Sequence, residues 1–275
     1  MNSFWAVLRL DLSESFRARW FLLYALTFGG VMAALLAFGL AESRVMGFTG
    51  LSRTLAIYIQ LVMAILPVFI LIATVRSVAG DREAGVFEYM LALPTPLAAW
   101  YWGRWLGRFL AAFSPVALAL LFAVGYGVAF GADVPWRHIL IDLALLGSLV
   151  LCFLGLGFLI SSAARSADAA QSVAFMAWLA LLAFLDLILL GLLVRAQASE
   201  EIAVAIALLN PLQSFRTGSM LLFDKQLVLL GPSAWLILDR FGEIGYLVWA
   251  TVYPAALGMA AAAAGYFVFR RGDLP

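Results

Sequence analysis

Apolar residues fill this chain in long blocks, and the polar residues between them mark where each block stops. A bilayer core of about 30 Å is crossed by roughly 20 apolar residues in helical form. Six blocks meet that requirement: 21–40, 55–75, 109–130, 143–160, 172–194 and 246–269. The fourth is the shortest, with Asp142 and Ser161 placed to mark its two interfaces. Pro67, Pro115 and Pro254 fall inside the second, third and sixth blocks, where a membrane helix tolerates a kink. Ahead of the first block, Phe4, Leu8, Leu12, Phe16 and Trp20 recur every fourth residue, with Asp11, Glu14 and Arg17 on the other face. This stripe predicts an interfacial helix over 1–20 lying along the inner leaflet. The segment 195–245 is rich in apolar residues, but Asp224-Lys225 and Asp239-Arg240 interrupt every window long enough to span. Breaks at Asn210-Pro211 and Gly231-Pro232 divide it into two or three short amphipathic helices, expected on the outer surface. The fold class expected is an all-α integral membrane protein, one six-helix transmembrane domain over 1–275.

Composition agrees and narrows the chemistry. The chain is 65% hydrophobic and 12% charged, against about half and a quarter in a soluble domain. A net charge of +1 argues against nucleic-acid binding. One cysteine (Cys152), one histidine (His138) and one lysine (Lys225) leave little for metal binding, and no metal site is expected. Lys225 lacks the glycines of a phosphate-binding loop, so nucleotide binding by that mechanism is excluded. No cleavable signal peptide is expected, because Arg9, Asp11, Glu14, Arg17 and Arg19 precede the first apolar block. With the N-terminus inside, Arg9, Arg17, Arg19, Arg76, Arg82, Arg104, Arg108, Arg165, Arg270 and Arg271 fall on the cytoplasmic side. Only Arg44, Arg53 and Arg137 fall in short outer loops. The distribution predicts both termini inside.

The most informative polar interruption is 80–96, GDREAGVFEYMLALPTP. Val86, Phe87, Met90, Leu91 and Leu93 share one helical face, and Glu88 stands among Ala84, Gly85 and Ala92 on the other. A lone carboxylate on a small-residue face permits close approach of a partner's arginine or backbone amide. Asp81 and Glu83 are expected near the positive N-terminal end of this helix, with Pro94 and Pro96 stopping it. A membrane protein that presents such a docking helix has something in the cytosol to grip it. Asp186 is an acid deep within the fifth block and so a functional candidate. It is either a proton or cargo contact, or a protonated residue bonding across a helix interface. Val124-Gly125-Tyr126-Gly127 copies a channel-filter core but lies in an uninterrupted apolar run, which favours packing. Gly103/Gly107 is a weak small-residue pair, and the Ala- and Gly-rich sixth block suits close helix packing within or between subunits. Trp100, Tyr101, Trp102 and Trp105 are expected to anchor the third span in an interfacial belt.

Six spans, the N-terminal helix, and Asp81-Arg82-Glu83-Ala84-Gly85-Val86 ahead of Leu93-Pro94 and Gly103-Arg104 resemble the ABC-2 type permease family. Asp81 stands where the family commonly has Glu, and Val86 stands where it has Thr. Within the family, Leu209 to Arg216 followed by Leu230-Gly231-Pro232 is most similar to the permeases of nitrous oxide reductase maturation. The resemblance implies a multi-pass protein of a bacterial inner membrane in which two copies pair with two cytoplasmic ATPase subunits. ATP and magnesium are then bound by the partner, and this chain carries no cofactor and no catalytic residue. It further implies that Asp81, Arg82, Glu83, Gly85, Phe87 and Glu88 couple the permease to the ATPase. Asn210, Pro211, Phe215 and Arg216 would face a periplasmic accessory protein, in support of copper–sulfur centre assembly. An exporter of lipid, glycan or drug, a scaffold that transmits movement without cargo, and an intramembrane enzyme using Asp186 are the competing readings.

Overall fold

Wherever the structure describes an apolar block it finds helix, the form that satisfies every peptide group without water. The computed structural model describes residues 3–46, 49–87, 96–129, 136–184, 200–223 and 232–271. Helix α1 (Ser3–Arg17) is separated at Ala18 from α2 (Arg19–Met46), and α3 spans Thr49–Glu83. Then come α4 (Leu97–Ala129), α5 (Trp136–Ala163) and α6 (Ala167–Leu179), the last continued by a π-helical turn at Ala180–Phe184. Two short helices, α7 (Glu200–Leu209) and α8 (Pro211–Phe223), precede α9 (Pro232–Arg271). Among the described residues, Tyr58–Glu83, Leu97–Ala129, Trp136–Ala163 and Phe241–Arg271 are long and apolar enough to cross a membrane. Ala167–Leu182 is a shorter apolar helix, and Asp186 lies outside the described residues.

Helix α5 is the hub, packed against α3, α4, α8 and, most extensively, α9. Two glycines permit the α5–α9 approach. A Cβ built at Gly155 would overlap the Gly258 carbonyl oxygen, and one at Gly258 would overlap Leu151 O. The small residues of the sixth apolar block thus serve packing within the chain. Hydroxyl groups bond across helices to backbone carbonyls: Tyr24 to Ala112 O at 2.8 Å, Tyr58 to Val116 O at 3.2 Å and Tyr101 to Ala262 O at 2.8 Å. Each satisfies a polar group where water is scarce.

Four expectations change. Asp11 does not face away from the packed side of α1: it is only 2% exposed, while Phe16 is exposed. The buried face includes Leu8, Asp11 and Ser15, because the partners of Asp11 are arginines on α4 that the α1 pattern alone does not reveal. Trp100, Tyr101 and Trp105 do not form a headgroup belt. They are buried, with Trp100 and Tyr101 stacked against Phe269 of α9 at 5.4 and 5.9 Å. The stretch 80–96 does not open a new helix at Asp81, because α3 runs on through Glu83. Finally, α8 is not a surface helix: Leu212, Ser214, Phe215, Ser219 and Met220 are buried where it packs on α3, α5 and α9.

Candidate functional site

The end of α3 is a junction of four other helices. Gly85 adopts φ +67°, the left-handed region that glycine reaches without a Cβ penalty. Ala84 N donates to Gly80 O at 3.0 Å and Gly85 N to Arg82 O at 3.2 Å, closing the last turn. Nothing lies within 4 Å of a Cβ built there, so the need for glycine is conformational. The chain then turns into Val86 and Phe87. Phe87 is buried against Trp100 and Phe269, with ring centroids 5.2 and 5.3 Å away.

Asp81, Arg82 and Glu83 therefore sit at the negative, C-terminal end of a helix, where two acids are unfavourable unless compensated. Each finds its compensation on a different element. Asp81 pairs with Arg104 of α4. Arg82 donates to Ala164 O at 3.1 Å and Ser162 O at 3.4 Å, the carbonyls at the end of α5. Glu83 Oε1 accepts from Ala167 N at 3.1 Å, at the start of α6. An exposed Arg76–Asp168 pair at 4.0 Å also links α3 to α6, and such pairs contribute little.

Arg104 extends the junction to α1. Besides Asp81 it reaches Asp11 at 3.4 Å, donates to Ser77 O at 2.9 Å and lies 4.7 Å over the Trp100 ring. Arg108, one turn on, donates to Asp11 at 3.1 Å and to Ala73 O at 2.8 Å. The Asp11 carboxyl is pushed above its ordinary range by burial, which outweighs the opposing pull of Arg108 and Arg104. Gly103 and Gly107 let α1 descend onto α4. A Cβ at Gly103 would stand 3.0 Å from Phe4 O, and one at Gly107 would stand 2.6 Å from Asp11 Oδ2. This glycine pair is a packing site whose spacing matches that of Arg104 and Arg108.

The structure brings together Asp81, Arg82, Glu83, Gly85 and Phe87, while Glu88 lies outside the described residues. Arg104, Arg108 and Asp11 join the site from outside the 80–96 segment. The available signal was the repeat of glycine and arginine one turn apart in Gly-Arg-Trp-Leu-Gly-Arg. At the opposite end of the bundle, Asn210 caps α8: its side-chain oxygen accepts from Leu212 N at 3.0 Å, and its amide donates to Leu181 O at 3.0 Å. Pro211 follows at the first helical position, where its missing N–H costs nothing. Asn210, Pro211 and Phe215 are buried and Arg216 is half-buried, so these residues position α8 between its neighbours. Trp249 Nε1 and Tyr253 OH of α9 donate to Leu208 O and Leu209 O at 3.2 and 2.7 Å, fixing the α7–α8 corner. Asp142 of α5, expected at an interface, is fully buried beside Ser219 of α8.

Between α3 and α6 runs an apolar groove of about 400 Å³, lined by residues including Leu71, Ile72, Val75, Phe175 and Trp178, with Asp168 and Gln171 also on its wall.

The family model described as ABC-2 family transporter protein matches residues 5–274. The chain is 29% identical over 232 residues to the probable ABC transporter permease protein NosY of Pseudomonas aeruginosa, covering 80% of this chain and 82% of that protein. It is 28% identical over 228 residues to the protein of the same description from Stutzerimonas stutzeri, covering 78% and 80%.

Proposed function

The chain belongs to the ABC-2 family of transporter proteins, and from that premise we propose that it is the permease through which a separate cytoplasmic ATPase drives a periplasmic step in copper–sulfur centre assembly of nitrous oxide reductase. That it is a multi-pass permease subunit of an ABC transporter follows from the family match and the apolar helices. The observation that carries the coupling reading is the junction at the end of α3. A short segment leaving a membrane helix is tied at its root to α4, α5 and α6, so a push on the segment is shared among them. In this reading the push comes from closure of the ATPase dimer against the residues after Phe87, Glu88 foremost. Two copies of the chain form the membrane unit, with six spans each and both termini in the cytoplasm. At the other end, α8 and its Asn210 corner move the surface offered to a periplasmic accessory protein. Support for nitrous oxide reductase as the beneficiary comes from the two NosY permeases and from the sequence of 209–216.

The test is a deletion of this chain in a host that makes the reductase, with and without complementation. Reductase lacking its copper–sulfur chromophore in the deletion strain, restored by the intact chain, is the expected result. A reductase with a full chromophore would overturn the assignment. The second reading, export of a lipid or other amphiphile, is favoured by the apolar α3–α6 groove. It predicts ATP-dependent loss of such a molecule from vesicles carrying the reconstituted complex.

A further inference from the structure

Successive helical residues are about 100° apart, so the three charged residues that end α3 fan out. Asp81 turns to α4, and the two after it turn to a single feature, the turn 164–166 between α5 and α6. Arg82 places its guanidinium on Ala164 O and Ser162 O, at the carbonyl end of α5. Glu83 places its carboxylate on Ala167 N, at the amide end of α6. A cation at a helix C-terminus and an anion at a helix N-terminus each meet the favourable end of the macrodipole, so the adjacent opposite charges match the adjacent opposite poles. Ser166 Oγ accepts from Ala169 N at 3.1 Å, leaving Ala167 N for the carboxylate of α3. Deeper in, Ser161 Oγ accepts from Val78 N and Ala79 N, both at 3.0 Å, and a Cβ at Gly157 would overlap Thr74 Oγ1. The end of α3 and the end of α5 are thus in contact over several residues.

We propose that Arg82 and Glu83 are positioning residues that grip the α5–α6 turn, so that displacement of the segment after α3 is delivered to α6 through that turn. Arg82 is half-buried and Glu83 remains exposed, and in this proposal their polar atoms serve the α5–α6 turn rather than the ATPase. This deepens the coupling reading above and rests on it. The grip predicts that the order of the two charges matters: exchanged, each would face the pole that repels it.

The experiment uses the complex of permease and ATPase in lipid nanodiscs, with spin labels at two exposed positions, Leu110→Cys on α4 and Ser172→Cys on α6. It reads co-purification of the ATPase, ATP hydrolysis, and the ATP-dependent change in the α4–α6 distance. The transposed pair, Arg82→Glu with Glu83→Arg, keeps net charge and composition. It is expected to retain ATPase binding and hydrolysis while the distance change falls by about fivefold or more. The conservative pair, Arg82→Lys with Glu83→Gln, keeps a donor for the α5 carbonyls and an acceptor for Ala167 N, and is expected to keep most of the change. A full distance change in the transposed variant overturns the proposal, and so does loss of ATPase binding with the fold intact. Glu83→Ala alone is read by the same criteria if the transposed chain fails to accumulate. If the unsubstituted complex shows no ATP-dependent change, the coupling reading itself fails and takes the grip with it.

Discussion

Asp11 shows how a single buried charge can organise three helices. Arg104 and Arg108 both turn to it from α4, and Arg104 passes the connection on to Asp81 of α3. Removing one partner of a buried ion pair leaves the others uncompensated, at a cost of about 3–5 kcal/mol. Asp11→Ala is therefore expected to lower the thermal unfolding midpoint of the purified chain far more than Glu14→Ala, whose side chain is exposed and whose loss costs less than about 0.5 kcal/mol. Equal midpoints would show that α1 is held by its apolar contacts alone. The sequence of α1 read alone misplaces Asp11, since every charge on an isolated amphipathic stripe looks solvated. Its destination is set by arginines more than ninety positions away. The glycine and arginine pairs on α4 were visible, but nothing in them named α1 as the helix they receive.

At the scale of elements, the lengths of the apolar blocks predicted helices well, because a bilayer leaves the backbone few alternatives. What they could not convey was which helices touch through backbone. Gly155 and Gly258 are among many small residues in the chain, and only the crossing of α5 with α9 singles them out. Gly155→Ala pushes a methyl into the Gly258 carbonyl, a strain of about 1–3 kcal/mol or more. Gly125→Ala, with nothing within 4 Å of the added carbon, is the matched control. The first is expected to reduce the folded fraction in thermal or proteolytic assays and the second to leave it unchanged. The end of α3 was illegible for another reason. Asp81 and Glu83 read equally well as the acidic first turn of a new helix, and the left-handed turn at Gly85 decides that they close the old one.

For the whole molecule, the charged junction and the α7–α8 corner lie at opposite ends of the bundle, which gives the topology a direct test. Arg165, in the α5–α6 turn, and Leu209, at the far corner, are both exposed. A membrane-impermeant thiol reagent applied to intact cells lacking an outer-membrane barrier is expected to label Leu209→Cys and to reach Arg165→Cys only after lysis. The native Cys152 is buried and gives little background. Labelling of both from one side would refute the proposed orientation. Basic residues supply the expected polarity that this experiment tests, whereas the inward placement of Asn210 and Phe215 was not legible, since a polar, proline-broken segment reads as surface. The α5–α9 contact has a further consequence, for biosynthesis. The ribosome completes α5 roughly seventy residues before it starts α9. In that interval the Gly155 face of α5, and the Ser148 hydroxyl that will bond Thr251 O, stand in the membrane without their partner. Insertion of α9 is what supplies that partner, so a chain truncated before Pro232 is expected to be degraded faster than the full chain in a pulse-chase.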